Sequence, residues 1–541
     1  MKTRPRPHLE IIRSGDKHYG IIRTTFRDNG KIRHHSHGTI KGLRREELKL
    51  IQAAFRGDAV AKDSAEAPRV IESKEYGASY AVLELAKELA LDKAIYSRTS
   101  EQWVKDALAM IVGRLIYSGS KLALSHRWED TALWELCAVE GPVDVDRHCY
   151  EPMDRLLQRQ EMIQKTLAER HLKNGSLVLY DITSSYFEGE YADSEIVLFG
   201  YNRDGKRGHE QMVIGLLCSP EGCPVGVEVF PGNTQDAKTV TEKIREVQQK
   251  YGIKELVFVG DRGMITHANY ENVKGMEGLN TISALTHRQI KDLLERKVIQ
   301  VGMFDEKDIL EVVDPEDPQR RYCLCRNPKS AAKETATRKA LIEAARKELD
   351  KIAGSNRKAS TEKISARVGR VLEKLKIGKF VEWKVQEGKL LWNFKTGVVM
   401  AEEVLDGCYI VTTEVPARLM KKQEVVASYK KLALVEQAFR NLKTVQLEVR
   451  PVYHKTDDRI RCHVFLCTLA YYLQWHMTQR LQPLFQSDGK YKHRQWTFEH
   501  VIERLKSLRR QKLDVLGATC RIVGSPDESQ DKILKLMKVK L

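Results

Sequence analysis

The chain has 541 residues, 42% of them hydrophobic, and carries 91 Lys+Arg against 74 Asp+Glu for a formal charge of +17. That length and apolar fraction exclude a disordered tail protein and predict about two to four domains with at least one substantial core. The charge surplus attracts polyanions, which makes nucleic acid the leading partner class while leaving a ribosomal, membrane-surface or merely basic enzyme open.

The scattered cysteines lack zinc-ribbon spacing: the closest are Cys323-Leu324-Cys325 and the pair Cys218 and Cys223. No structural zinc is expected, and reduced cytoplasmic thiols are the natural reading. The start Met1-Lys2-Thr3-Arg4-Pro5-Arg6-Pro7 is polar and basic, unlike a secretory signal. The longest apolar stretch, Cys462 to Trp475, is interrupted by His463, Thr468 and Gln474. It is too short for a bilayer core of about 30 Å, so a buried core helix is expected, with His463 as a hydrogen-bonded core residue and no membrane partner.

In chain order, residues 1–50 read as a basic β-hairpin module, with Tyr19 to Phe26 and Lys31 to His35 flanking an Asp28-Asn29-Gly30 turn. Residues 51–172 read as a helical DNA-binding or dimerisation region, on the 3.6 periodicity of Tyr80 to Ala90 and Trp103 to Val112. Strand patterns take over near residue 176. One apolar run, Leu177 to Tyr180, ends at Asp181; a hairpin joins Gln211–Cys218 to Pro224–Phe230 across Ser219-Pro220-Glu221-Gly222; a helix spans about 236–250; and a second run, Leu256 to Gly260, ends at Asp261. A helix near 268–273 and a strand at 279–285 complete the first part. The element order is that of a ribonuclease-H-like mixed-sheet core with helices on both faces. Residues 173–289 form its first part and 406–480 its second, which holds a strand at 408–413 and a helix from Tyr429 to Lys443. Between them, residues 290–405 read as an insertion with helices at 331–350 and 363–375 and β-like runs around Trp383 and Trp392. Residues 481–541 read as a basic, partly helical C-terminal region.

Three acids stand out. Asp181 and Asp261 end buried strands, and helical periodicity puts Tyr429, Leu432, Glu436, Arg440 and Lys443 on one side of their helix. Converging carboxylates repel one another, so such a trio either shares protons or binds a cation, and oxygen-only ligands favour Mg²⁺ or Mn²⁺. Two ions roughly 3.5–4 Å apart would activate a water or a 3′-hydroxyl and stabilise the leaving oxygen at phosphorus. Each acid alone also has a plain reading: Asp181 as a turn cap, Asp261 as an N-cap paired with Arg262, and Glu436 as a solvated helix residue. The run Gly200 to Lys206 has phosphate-loop spacing, but Arg207 stands at the Ser/Thr position and a strand-like run follows, so nucleotide binding is rejected.

The segments Leu179 to Glu188, Phe230 to Asp236, Val259 to Met264 and Tyr429 to Lys443 together resemble the DDE transposases of bacterial insertion sequences, specifically the group with a Tyr-Arg-Glu-Lys signature. Tyr429, Glu436 and Lys443 match the signature spacing, and Leu432 stands at its Arg position. The resemblance spans about residues 175 to 475. It implies a cytoplasmic, nucleoid-associated bacterial enzyme that cuts and pastes DNA as a homodimer holding terminal inverted repeats and target DNA. Asp181, Asp261 and Glu436 would be catalytic metal ligands for two Mg²⁺ ions with Mn²⁺ as substitute, and Tyr429, Lys443 and Arg440 would hold DNA phosphates. In the stretch Tyr201 to Arg207, which resembles a basic motif of this group, Arg203, Lys206 and Arg207 suit phosphate contacts, and a solvated basic turn accounts for them equally. Trp392 or Trp383 would stack a flipped base, against a simpler packing role. A metal-dependent nuclease on the same fold and a non-catalytic DNA-binding repressor are the alternatives.

Overall fold

Alternating apolar residues near the N-terminus bury one face of a three-stranded antiparallel sheet, β1 (His8–Ser14), β2 (Lys17–Asp28) and β3 (Lys31–Ile40). Leu9, Ile22 and Ile40 pack there against Leu48 and Ile51 of the helix Arg45–Arg56. Arg33, His34, His35 and His37 of β3 are exposed, whereas Arg23 is paired with Glu10. The computed structural model describes residues 7–15, 17–28, 31–56, 68–201, 208–234, 244, 248–249, 251–262, 264–265, 276–304, 308–355, 360–445, 447, 449–486, 496–515 and 518–541.

The region expected to be helical from residue 51 includes a strand, β4 (Arg69–Glu75). Its partner lies at the far end of the chain, so no local turn signals it. Beyond β4, the helices Gly77–Glu88, Gln102–Ile116, Glu151–Gln158 and Gln160–His171 contribute to the main hydrophobic core. Glu75 is buried at the junction, and its carboxylate accepts from Tyr117 Oη (2.5 Å), Ser79 Oγ (2.6 Å) and Ala78 N (2.8 Å). A buried carboxylate is tolerated only when its lone pairs are filled in this way.

The centre of the protein is an eight-stranded mixed sheet. Its strands are β5 (Ser176–Tyr186), β6 (Gln211–Cys218), β7 (Pro224–Pro231), β8 (Leu256–Gly260), β9 (Leu279–Ala284), β10 (Leu310–Asp314), β11 (Asp317–Arg326) and, after two intervening strands, β14 (Cys408–Thr413). The spatial order is β10-β11-β14-β9-β8-β5-β6-β7, and only β5–β8 and β8–β9 are parallel pairs. Every residue of β6 and β8 is buried, as continuous apolar runs covered on both faces require. The helix Asp457–Phe485 packs on β7 and on the Gln102–Ile116 helix, so the expected core helix is longer than its apolar stretch. Among the described residues, no single helix is long and apolar enough to cross a membrane.

Residues 290–405, read from the sequence as one insertion, divide in the structure. Strands β10 and β11 extend the large sheet through β14, because the run Tyr322 to Cys325 is apolar enough to be buried there. The helices Pro328–Ala353 and Thr361–Leu375 instead gather around their own cluster with the hairpin β12 (Val381–Gln386) and β13 (Lys389–Phe394). The C-terminal region, expected to be partly helical, also contains strands. Strands β15 (Arg509–Val515) and β16 (Ala518–Val523) complete a sheet with β4, and Ile533, Leu534 and Met537 of the helix Glu528–Met537 enter the main core. The basic composition of residues 481–541 concealed this β-structure. The helices expected near 236–250 and 268–273 lie largely or wholly outside the described residues.

A buried basic cluster pins the chain that leaves the Glu436 helix. Arg114 donates to the Leu447 carbonyl (2.6 Å), and His463 Nε2 bonds the Val449 carbonyl (3.1 Å) while its Nδ1 lies 2.6 Å from Lys121 Nζ. This arrangement requires Nε2–H as donor and Nδ1 as acceptor. Burial pushes the Lys121 ammonium down to about 8 and holds His463 well below its ordinary range. His454, which touches Tyr150 and His463, falls to about 3 because burial and then Lys121 oppose its charge. Below pH about 6.5 the unfolded chain takes up a proton that folded His454 refuses, so stability present above that pH is lost as pH falls toward 3. Chemical denaturation at pH 7 and pH 5 should show wild type losing about 1–2 kcal/mol more than His454→Gln over that interval.

Candidate active site

The parallel register of β5 and β8 pairs Leu179 with Val259 and Tyr180 with Gly260. The next residues in each strand direction are Asp181 and Asp261, so the two acids lie side by side at the sheet's centre. Asp181 is half-buried and Asp261 exposed. The sequence reading ended the first strand at Asp181, but β5 runs on to Tyr186 because its later residues keep pairing with β6 after β8 has stopped. Asp181 is therefore a mid-strand residue, opposite Leu216, and its Oδ1 accepts from the backbone N–H of Ile182 (2.8 Å).

The expected Tyr429–Lys443 helix is divided. One helix spans Lys422–Lys430, a turn follows at Lys431, a second helix spans Leu432–Arg440, and a wide π-turn covers Asn441–Val445. The second helix lies over β5 and β6 and buries Leu432, Val435, Ala438 and Phe439. These residues form the i, i+3, i+6 and i+7 face that packing selects, so Leu432 does not share the outward side of Glu436 and Arg440, as the single-helix reading had it. Glu436 and Arg440 are exposed, while Tyr429 and Lys443 are half-buried.

Tyr429 links the two parts, since its hydroxyl donates to Asp261 Oδ1 at 3.1 Å. Burial, then the Asp261 carboxylate, and after these the Glu436 charge push the phenol above its ordinary range, against a smaller opposing effect of Arg262. Tyr429 therefore stays protonated and acts as a donor at neutral pH. Asp181, Asp261 and Glu436 offer oxygen ligands alone, the donor chemistry of a hard divalent cation. Among the described residues, the three acids do not bring one ligand atom each within 4.8 Å of one another.

The sequence profile of the transposase DDE domain matches residues 175–473, which is more than half of the chain. The chain belongs to the DDE transposase family. No curated protein compared with this transposase matches it. Solved structures that resemble it include a piggyBac transposase synaptic complex with hairpin DNA, at 7% identity and a TM-score of 0.36, covering 79% of this chain and 76% of that one. So low a score does not align individual elements.

Arg203, Lys206 and Arg207 lie outside the described residues. Trp392 is half-buried in the cluster of the two-helix unit, edge-on to Phe394 at 5.1 Å, and Trp383 lies opposite it across the hairpin and is more exposed. The sequence did not single out a pocket of about 260 Å³ beside Tyr429, lined by Arg262, His287, Asn327, Tyr409 and Lys430. It continues past His287 into a larger one of about 620 Å³ bordered by Lys333, Lys376 and Lys379. Glu334, Glu402 and Asp406 line it as well, and these residues come from separate segments.

Behind Asp181, the fully buried Tyr180 ring crosses toward β6 and meets Gly215, where an added Cβ would collide with the Tyr180 hydroxyl and press on Phe230 at 3.0 Å. Gly215→Ala should therefore cost about 1–3 kcal/mol in a denaturation measurement, as overpacking of a filled core does.

Proposed function

We propose that this transposase cuts DNA at the ends of a mobile element and joins the freed 3′-hydroxyls to target DNA, with Asp181, Asp261 and Glu436 as the ligands of two Mg²⁺ ions that Mn²⁺ can replace. The observation that carries this reading is the β5–β8 register, which sets Asp181 beside Asp261, together with the Tyr429 hydrogen bond that ties the helix just before the Glu436 helix to the second acid. The order β7-β6-β5-β8-β9, antiparallel through β5 and parallel thereafter, supports a ribonuclease-H-like core. The separate hydrophobic cluster of residues 341–399 supports an insertion between Asp261 and Glu436.

In this mechanism the divalent ions supply activation of the attacking oxygen and neutralisation of the leaving oxygen during in-line displacement. The protein's part is positional. Asp181, held mid-strand by pairing with β6 just past the end of the β5–β8 ladder, is the rigid ligand. Asp261 is exposed at a strand end, and Tyr429 fixes one of its oxygens. Glu436 approaches from a helix whose other face is locked into the core. Arg440 and Lys443, one and two turns farther along, suit phosphate contacts flanking the cut, and Lys430 at the mouth of the neighbouring pocket offers the cation that Leu432 cannot. Arg203, Lys206 and Arg207 would extend the phosphate interface, and Trp392 would stack an extruded base. The substrate is double-stranded DNA bearing terminal inverted repeats, bound by a homodimer, and the source is a bacterial insertion sequence of the Tyr-Arg-Glu-Lys group whose product acts in the cytoplasm at the nucleoid.

The test uses repeat-ended DNA with Mg²⁺ and the variants Asp181→Asn, Asp261→Asn and Glu436→Gln. Each should lose about 10²-fold or more of cleavage and joining, because ligated metal supplies several kcal/mol, while binding the same DNA as tightly as wild type. Cleavage retained by any of the three contradicts the assignment, and wild-type cleavage without joined products would favour a plain nuclease.

A further inference from the structure

Away from the acids, three chain segments bring a different set of ligands together. His171 ends the helix Gln160–His171, Cys223 precedes β7 in the β6–β7 turn, and His476 lies in the helix Asp457–Phe485. One ligand atom from each lies within 4.8 Å of the others. Cys223 is fully buried as a free thiol. His476 Nε2 is buried and has no hydrogen-bond partner, a state that ordinarily destabilises a fold unless something else occupies the nitrogen.

We propose that His171, Cys223 and His476 form a structural site for a single borderline-soft divalent ion, with zinc as the natural occupant. One thiolate and two imidazoles are zinc's preferred donors and a poor set for Mg²⁺, so this site is chemically distinct from the carboxylates. Burial lowers His171 below its ordinary range and His476 to about 4, so both rings are neutral and able to ligate at pH 7. Binding releases the Cys223 proton to solvent, and the thiolate offsets one of the two positive charges.

The surroundings suit a ligated group. Tyr472 Oη hydrogen-bonds His171 Nε2 at 3.1 Å, which orients that ring, and Trp475 stands edge-on to His476 at 4.9 Å. Two guanidiniums nearby oppose added positive charge; that of Arg480 is offset by Glu88 at 2.8 Å, whereas Arg170 donates to the neutral Leu89 carbonyl at 2.7 Å. The Glu221 carboxylate adds favourable charge near His171. Sequence spacing gave no hint of the site because Cys218 and Cys223 do not form a ligand pair and the two histidines come from segments on either side of the sheet strands.

Its consequence is mechanical. The turn that carries Cys223 also holds Gly222, where an added Cβ would lie 2.9 Å from Leu434 in the Glu436 helix. An ion at this place would therefore clamp the turn, the end of the helix before β5 and the long core helix, directly behind the element that presents Glu436.

Full-length protein dialysed against a chelator and kept in excess Mg²⁺ is titrated with Co²⁺ alone. The proposal expects one equivalent bound with a thiolate-to-cobalt charge-transfer band in the near ultraviolet, displaced by Zn²⁺. The band should vanish in Cys223→Ser, and His476→Gln should weaken binding by at least about tenfold. No thiolate band in the wild type overturns the site, as does a band that survives in Cys223→Ser. Should Cys223→Ser not fold, His476→Gln decides, and unchanged Co²⁺ affinity there overturns the proposal.

Discussion

The arrangement of this transposase depends on one parallel strand pairing. Hydrogen bonds between β5 and β8 fix Tyr180 against Gly260, and through them place Asp181 next to Asp261. A one-residue slip would turn one of the two acids to the other face of the sheet, because side chains alternate with a period of two. The register is held instead by the continuous ladder from Ser176–Leu256 to Tyr180–Gly260.

The third acid depends on packing rather than on pairing. Leu432, Val435, Ala438 and Phe439 hold the Glu436 helix against β5 and β6, and Arg114 and His463 grip the carbonyls of the chain just beyond it. Both grips come from the helical region and the long core helix, so the N-terminal helices are part of what positions Glu436. Strand β15 reinforces this closure by pairing with β4, and β16 extends the same sheet from its other edge. Ends that read as separate appendages thus form one continuous support.

Much of this was legible in the sequence. The strands at 211–218, 224–231, 256–260, 279–284 and 408–413 follow from apolar runs bounded by turn residues, and the DDE family followed from Asp181, Asp261 and the Tyr429, Glu436 and Lys443 spacing. What escaped depends on distant partners. The strand β4 becomes a strand only because β15 meets it, and β10 and β11 join the sheet only because β14 offers an edge. The full length of β5 was hidden because Asp181 interrupts its apolar run. The inward turn of Leu432 was overlooked because signature spacing, rather than the apolar stripe, set the reading of that helix. The pocket between Arg262, His287 and Lys430 and the cluster of His171, Cys223 and His476 are assembled from segments that no local pattern connects.

The central claim is that the acids on β5, at the end of β8 and on the overlying helix share divalent cations. Anomalous diffraction from crystals of the protein with end DNA and Mn²⁺ measures this directly. The account predicts manganese peaks bounded by the Asp181 and Asp261 carboxylates, with Glu436 completing the shell of at least one ion. Peaks elsewhere, or a manganese ion held by none of these three side chains, would contradict it.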